Sequence, residues 1–323
     1  MKFCANLGSM GEATNIKIGP AGWAYKDWEG VVYPGSLKRE QHPVEYLARY
    51  FDTIEINSSF YGHIKPEHGL LWCRKARSVN RHFIFTAKLN RAFTHSPMAV
   101  TESTSAATIR PHADDEQLAK QGLDAIAGEE MLGALLVQFP ISFKNSNENR
   151  DYLDMLVQQF RVYPLVVEVR HASWNNEGTL KYFARQNVAF CNIDQPLLGN
   201  AIGPAEHVTS GIGYVRLHGR NYSEWFAERA SEEGLKTERR DARYNYLYSA
   251  GELQDWKRHI DRIAAKSQVT FVVTNNHFEG KAAVNGLQLK HMIDSIPVKA
   301  PETLIRHYPE LEAIAEAPVG RLF

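Results

Sequence analysis

Short runs of β-branched and aromatic residues, each ending in polar residues or glycine, recur along the chain. Most are followed by a stretch in which apolar residues return every three to four positions. Eight such runs stand out: IKIGPAGW from Ile16, TIEINSSFY from Thr53, HFIFTAKL from His82, LGALLVQF from Leu132, LVVEVRH from Leu165, VAFCNID from Val188, GYVRLHG from Gly213 and VTFVVTNN from Val269. The helical pattern predicts helices over 43–50, 67–78, 116–128, 149–160, 179–185, 252–266 and 281–293. After Asp194 the stretch QPLLGNAIGPAE carries no such period and reads as loop.

Alternating strand and helix signals imply parallel strands joined by crossover helices. Eight of them favour an α/β fold closed into a (β/α)8 TIM barrel over an open doubly wound sheet. Neither GxGxxG nor GxxxxGK[ST] follows the first run, which weakens a dinucleotide-binding or P-loop reading. The expected organisation is one barrel domain over 16–323, preceded by a flexible tail over 1–15. Two connections, 93–115 and 220–250, exceed helix length and are candidate lids or binding loops. The second carries six basic and six acidic residues, which suits a solvated surface excursion equally well.

In a parallel barrel the chemistry gathers at the C-terminal ends of the strands, where the βα loops converge. Nearly every run ends there in polar residues: Glu55 and Asn57, Lys88, Gln138, then Glu168, Arg170 and His171, Asp194, then Arg216, His218 and Arg220, and last Asn275, Asn276 and His277. Alternate residues of a strand share a face, so Glu55 lies with Asn57, Glu168 with Arg170, and Arg216 with His218. With their apolar neighbours turned to the helices, these groups are expected inside the barrel mouth, where a charge must be paired or must bind something.

Composition sharpens the choice of ligand. The 323 residues are 44% hydrophobic and 23% charged, which excludes wholesale disorder, and 37 Lys plus Arg balance 37 Asp plus Glu. That neutrality disfavours a broad nucleic-acid surface. Locally, however, Lys88, Arg170, Arg216 and Arg220 outnumber Glu55, Glu168 and Asp194, and arginine's planar fork suits phosphate or carboxylate oxygens. A small anionic ligand, phosphorylated or nucleotide-like, is the first expectation. Glu55 and Glu168, with His218 beside them, are the candidate proton carriers. The structural alternative is that Glu168 simply pairs with Arg170 or Arg216, cancelling part of the positive field.

Glu55, Glu168, Asp194, His218 and His277 are suitable ligand types for a metal, yet no HxH or HExxH spacing occurs and the arginines on the same faces repel a cation. No metal site is expected, and no cofactor is specified. Histidines such as His171, His95 and His63 are individually more often structural than catalytic. The loop GPAGWAYKDWEGVVYP places Trp23, Tyr25, Trp28 and Tyr33 near the mouth, either to stack on a base or sugar or to cap the barrel; Phe60 and Tyr61 pose the same choice. Cys4, Cys73 and Cys191 form no CxxC pair, the N-terminus lacks a signal-peptide core, and no run approaches the ~18 apolar residues of a membrane span. A cytoplasmic protein with no membrane partner is expected.

The segments GPAGWAYKDWEGVVYP, FDTIEINSSFY, FTAKLNRAFTH, LLVQFPISF, VVEVRHASW, NIDQP, VRLHGRN, RYNYLYSAGEL and TNNHFEGKAAVNGLQL agree in order and spacing with one family. The chain resembles the domain of unknown function 72 proteins, also called YecE-like. The resemblance implies a TIM barrel related in fold to the xylose isomerase and endonuclease IV group. It also implies signature positions at Gly22, Trp23, Tyr25 and Trp28; Glu55, Asn57, Phe60 and Tyr61; Lys88 and His95; Gln138 and Pro140; Glu168, Arg170, His171 and Trp174; Asp194; Arg216, His218 and Gly219; and Asn275, Asn276 and His277. Ser59 stands where threonine is common and Thr274 where an aromatic is common. The family has no settled activity, so three readings stand: an enzyme or binding barrel for an anionic ligand, a metal-dependent nuclease or isomerase, and a non-catalytic nucleic-acid binding protein.

Overall fold

The structure, a computed structural model, describes residues 16–35, 37, 41–98, 103–221 and 244–317. The expected tail over 1–15 and most of the excursion at 220–250 lie outside the described residues. Eight parallel strands form one sheet: β1 (Ile16–Pro20), β2 (Thr53–Ile56), β3 (Ile84–Lys88), β4 (Leu132–Gln138), β5 (Leu165–Glu168), β6 (Ala189–Asp194), β7 (Ile212–Leu217) and β8 (Val269–Thr274). Each pairs with its sequence neighbour from β2 to β8, and β8 pairs back onto β1, Ile16 opposite Thr270 through Pro20 opposite Thr274.

Closure between β1 and β2 is made by an isolated bridge between Ala21 and Glu55, with backbone hydrogen bonds from Asp52 to Ile18 (3.1 Å) and from Gly22 to Glu55 (2.8 Å). The two strands approach so closely that a Cβ on Gly19 would lie 1.7 Å from the Thr53 carbonyl oxygen. Gly19 is therefore required by contact rather than by an unusual backbone angle.

The period of two sorts the strand residues. Ala21, Ala134, Leu136, Val166, Ala189, Cys191, Ile193, Tyr214, Phe271 and Val273 fill the barrel interior as one apolar cluster. Ile54, Ile56, Phe85, Leu135, Val137 and Val167 point the other way, into the shell between strands and helices. Around the strands lie α1 (Pro43–Leu47), α2 (Pro66–Arg77), α3 (Asp115–Gly128), α4 (Asn147–Phe160), α5 (Glu177–Gln186), α6 (Ala250–Ala264) and α7 (Lys281–Asp294). In α6 the buried residues Leu253, Trp256, Ile260 and Ile263 form one stripe, and Ser249 with Glu252 makes a capping box that fixes where the helix begins. Residues 195–211 hold no helix, as the missing period in that stretch anticipates.

Two features add to the sequence reading. Short 3-10 turns follow β1, β2, β3, β5 and β8 at Lys26–Trp28, Ser58–Phe60, Arg91–Phe93, Ala172–Trp174 and Phe278–Gly280, and they set where the first loop residues of the mouth stand. A C-terminal helix, α8 (Glu302–His307), packs on the first βα loop, with the Thr303 hydroxyl donating to the Val32 carbonyl at 3.1 Å. Six residues are too few to display a helical period, which is why the pattern did not announce it. No described helix is long and apolar enough to cross a membrane.

Gly19→Ala is expected to destabilise the fold by about 1–3 kcal/mol or more, because β1 must move off β2 to admit the methyl group. Urea unfolding checks this; an unchanged midpoint would mean that the seam can open without cost.

Candidate functional site

The inward-facing residues nearest the C-terminal ends are Glu55, Thr86, Lys88, Gln138, Glu168, Tyr214 and Arg216, joined just past the strands by Arg170, His218 and Asn275. Arg216 is only 1% exposed, and its two terminal nitrogens divide between Glu55 Oε1 at 2.7 Å and Glu168 Oε2 at 2.5 Å. The Tyr214 hydroxyl lies 3.0 Å from Glu55 Oε2 and 2.9 Å from Thr86 Oγ1. Arg170 Nε donates to Glu168 Oε1 at 2.7 Å. His218 Nε2 lies 3.3 Å from the same oxygen and 3.3 Å from a terminal nitrogen of Arg170, while the Asn275 amide nitrogen lies 2.9 Å from His218 Nδ1. The result is a continuous chain, Glu55–Arg216–Glu168–Arg170, across the barrel.

Electrostatics follow from this pairing. Burial alone would raise the Glu168 carboxyl, but Arg216 and Arg170 outweigh it and hold the group well below the usual carboxylate range. Burial, reinforced by Arg170, lowers His218 to about 3, so the imidazole is neutral at ordinary pH. His95 is likewise lowered to about 3 by burial and by Lys88.

Lys88 differs from the arginines. It is 8% exposed, and its Nζ lies 3.7 Å from the centroid of the Phe60 ring. Among the described residues the amine has no hydrogen-bond or ion-pair partner, and neither has the side-chain amide of Gln138. Burial, with Arg216 acting in the same sense, pushes the amine well below the ordinary lysine range.

Several expected site residues are placed elsewhere. Asp194 faces the helices, because Cys191 and Ile193 on the same strand point inward. It accepts from Arg220 Nε at 2.9 Å and from the Tyr248 hydroxyl at 2.5 Å, and Arg220 continues to Glu252 on α6 at 3.1 Å. Gly219, with φ of +86°, turns the chain so that Arg220 leaves the face of Arg216 and His218. Both charges are thereby withdrawn from the mouth. The remaining arginines each meet a carboxylate, so the interior is near charge balance rather than strongly basic.

Asn276 also faces outward, donating to the Tyr246 carbonyl and to Asn285 Oδ1, both at 2.8 Å. His171 caps the 3-10 turn after β5, its Nδ1 accepting from the Ser173 backbone at 3.1 Å. Trp23 packs edge-on against Trp72 of α2 at 5.0 Å and belongs to the outer core. Tyr25, by contrast, stacks on His277 at 4.2 Å, the Tyr244 ring lies tilted against His277 at 4.6 Å, and Asn57 lies by the Tyr25 hydroxyl. Tyr61 stands 65% exposed beside Phe60. Tyr25, Asn57, Tyr61 and His277 therefore line the rim. Tyr214 and Thr86 are members that the strand-end search missed. Carrying the period of two one step inward from Arg216 and from Lys88 reaches both. Among the described residues, no group of three or more His, Cys, Asp or Glu is placed to hold a metal ion.

A family model described as protein of unknown function DUF72 matches residues 17–305. The UPF0759 protein YunF of Bacillus subtilis is 27% identical over 288 residues, covering 86% of this chain and 95% of that protein. A DUF72 family protein of Thermotoga maritima superposes with a TM-score of 0.69 at 29% identity, covering 86% of this chain and 99% of the other. One from Enterococcus faecalis gives a TM-score of 0.70 at 21% identity over 86% and 95%, a likeness of fold alone.

Arg216→Met is expected to cost about 3–5 kcal/mol in urea unfolding, since it strands two buried carboxylates, and adding Glu168→Gln should recover part of that loss. No recovery would mean that packing, not charge, carries the defect. Acid should weaken the fold as well. Below pH ~6.5 the unfolded chain protonates a histidine that the folded state keeps neutral, so His218 removes up to ~1.4 kcal/mol per pH unit as pH falls toward its folded value. Between pH 6.5 and 5, above the carboxylate range, His218→Gln should flatten the stability profile by that share; a parallel profile contradicts it.

Proposed function

The chain belongs to the family of proteins of unknown function DUF72, whose name carries no activity, and we propose from the barrel mouth itself that the protein binds a small anionic ligand there. The observation that carries this reading is the unmatched amine. Three basic side chains, Lys88, Arg170 and Arg216, share the mouth with two carboxylates, Glu55 and Glu168, and among the described residues the Lys88 amine has the Phe60 ring beside it but no ion-pair partner. Burial makes the protonated form of this amine costly, and an anion bound beside Lys88 and Arg170 would stabilise that form. Arg170 remains 16% exposed on its side chain, so a phosphate or carboxylate can approach its guanidinium from the mouth. The aromatic cluster of Tyr25, His277 and Tyr244 at the rim suits a ligand with a flat or sugar-like portion, which makes a phosphorylated or nucleotide-like molecule the best fit.

Proton transfer in such a site falls to Lys88 rather than to the carboxylates. Both oxygens of Glu55 and both of Glu168 are committed to arginine or tyrosine, and moving a proton through either means breaking those bonds. The same commitment removes these carboxylates as ready metal ligands, while His277 packs against the rings of Tyr25 and Tyr244 and Asp194 faces the helices. For nucleic acid, the overall balance of 37 basic and 37 acidic residues leaves no charge surplus for a broad phosphate-binding face.

Inorganic phosphate at ten times its dissociation constant should stabilise the protein by about 1.4 kcal/mol relative to sodium chloride of equal ionic strength, read as a rise in melting temperature. Arg170→Gln and Lys88→Gln should each abolish most of the rise. An equal rise in both variants would place the anion elsewhere and end this reading.

A further inference from the structure

We propose that Lys88 is a carbonyl-reactive amine that condenses with an aldehyde or ketone group of the ligand to form an imine. The inference deepens the proposed function: it names the ligand class as a small anion that also carries a carbonyl.

The geometry provides each requirement of that chemistry. The amine must be held in place: Lys88 ends β3, and its carbonyl accepts from the Ser59 hydroxyl at 2.6 Å, which also lies 2.7 Å from the Ile56 carbonyl of β2. This clamp sets the following residue, Phe60, over the Lys88 amine. The nitrogen lone pair must be available, and Nζ has neither hydrogen-bond nor ion-pair partner among the described residues. The amine must also be free of its proton at ordinary pH, and burial with the adjacent Arg216 drives it that way. The charged groups facing it are Arg216 on β7, Glu55 on β2, and Glu168 and Arg170 at the end of β5, with the titratable His95, neutral at ordinary pH, after β3 itself.

The step balances without any further reactant. The nitrogen pair attacks the carbonyl carbon, the C=O π pair moves to oxygen, and a proton passes from nitrogen to that oxygen to give a carbinolamine. The C–O bond then breaks, and water leaves with the second amine proton, so one amine and one carbonyl become one imine and one water. Taking up a proton from solvent turns the imine into an iminium cation. Glu55 and Glu168, whose charges favour a cation at this position, and the face of Phe60 stabilise it.

Reductive trapping tests this on the intact protein. The chain is incubated at pH 7 with sodium cyanoborohydride and either glyoxylate, an anionic aldehyde, or propionaldehyde, a neutral one, and modified lysines are located by peptide mass mapping. Lys181, whose side chain is 68% exposed, serves as the internal reference. Lys88 should be modified faster than Lys181, and glyoxylate should exceed propionaldehyde at Lys88 alone. Modification of Lys88 no faster than Lys181, or by neither probe, overturns the imine. Preferential labelling by both aldehydes equally would keep the reactive amine and remove the anion reading, while phosphate stabilisation without labelling would do the reverse.

Discussion

A guanidinium buried in the barrel interior, Arg216, joins three strands that are not neighbours in the sheet, because its two ends reach Glu55 on β2 and Glu168 on β5 from its own place on β7. Burying three charges is expensive unless each is paired at close range. The requirement disciplines the rest of the mouth. Glu168 shares its second oxygen with Arg170, Glu55 accepts from Tyr214, and Tyr214 meets Thr86. Beneath them the interior turns apolar, with Phe271, Val273 and Leu136 closing the floor.

Pairing on this scale explains why the amine of Lys88 is chemically distinct. Once both arginines and both carboxylates are matched to one another, Lys88 in the same volume has no ion-pair partner at contact distance among the described residues, and burial makes its charged form costly. Its neighbours are then an aromatic ring on one side and carboxylates within electrostatic reach.

Much of the fold could be read from the chain. The eight runs correspond to the eight strands, and the missing helix after Asp194 is visible as a missing period. The mouth was legible in part. Glu55, Lys88, Gln138, Glu168, Arg216, His218 and Asn275 are where alternation along each strand puts them. Asp194 and Arg220 are not, for local reasons. Asp194 is one residue out of phase with Cys191 and Ile193, and Gly219 breaks the phase before Arg220. Trp23 and Tyr25, two residues apart in one loop, separate into core and rim because the close β1–β2 seam decides which way that loop leaves the barrel.

The sequence by itself determined the number of strands, their parallel arrangement, and which residues of each strand share a face, since these depend only on short-range periodicity. Which charges meet was decided by the tertiary structure alone. Arg216 and Glu55 are 161 positions apart, and Arg216 and Glu168 48 apart, so no local pattern encodes their contact. The strand-end inventory showed an excess of positive charge. The fold commits the arginines to internal pairs, sends Arg220 with Asp194 to the helix side, and leaves the Lys88 amine with no carboxylate in contact among the described residues, because charge balance in a buried volume is a property of distances rather than of composition.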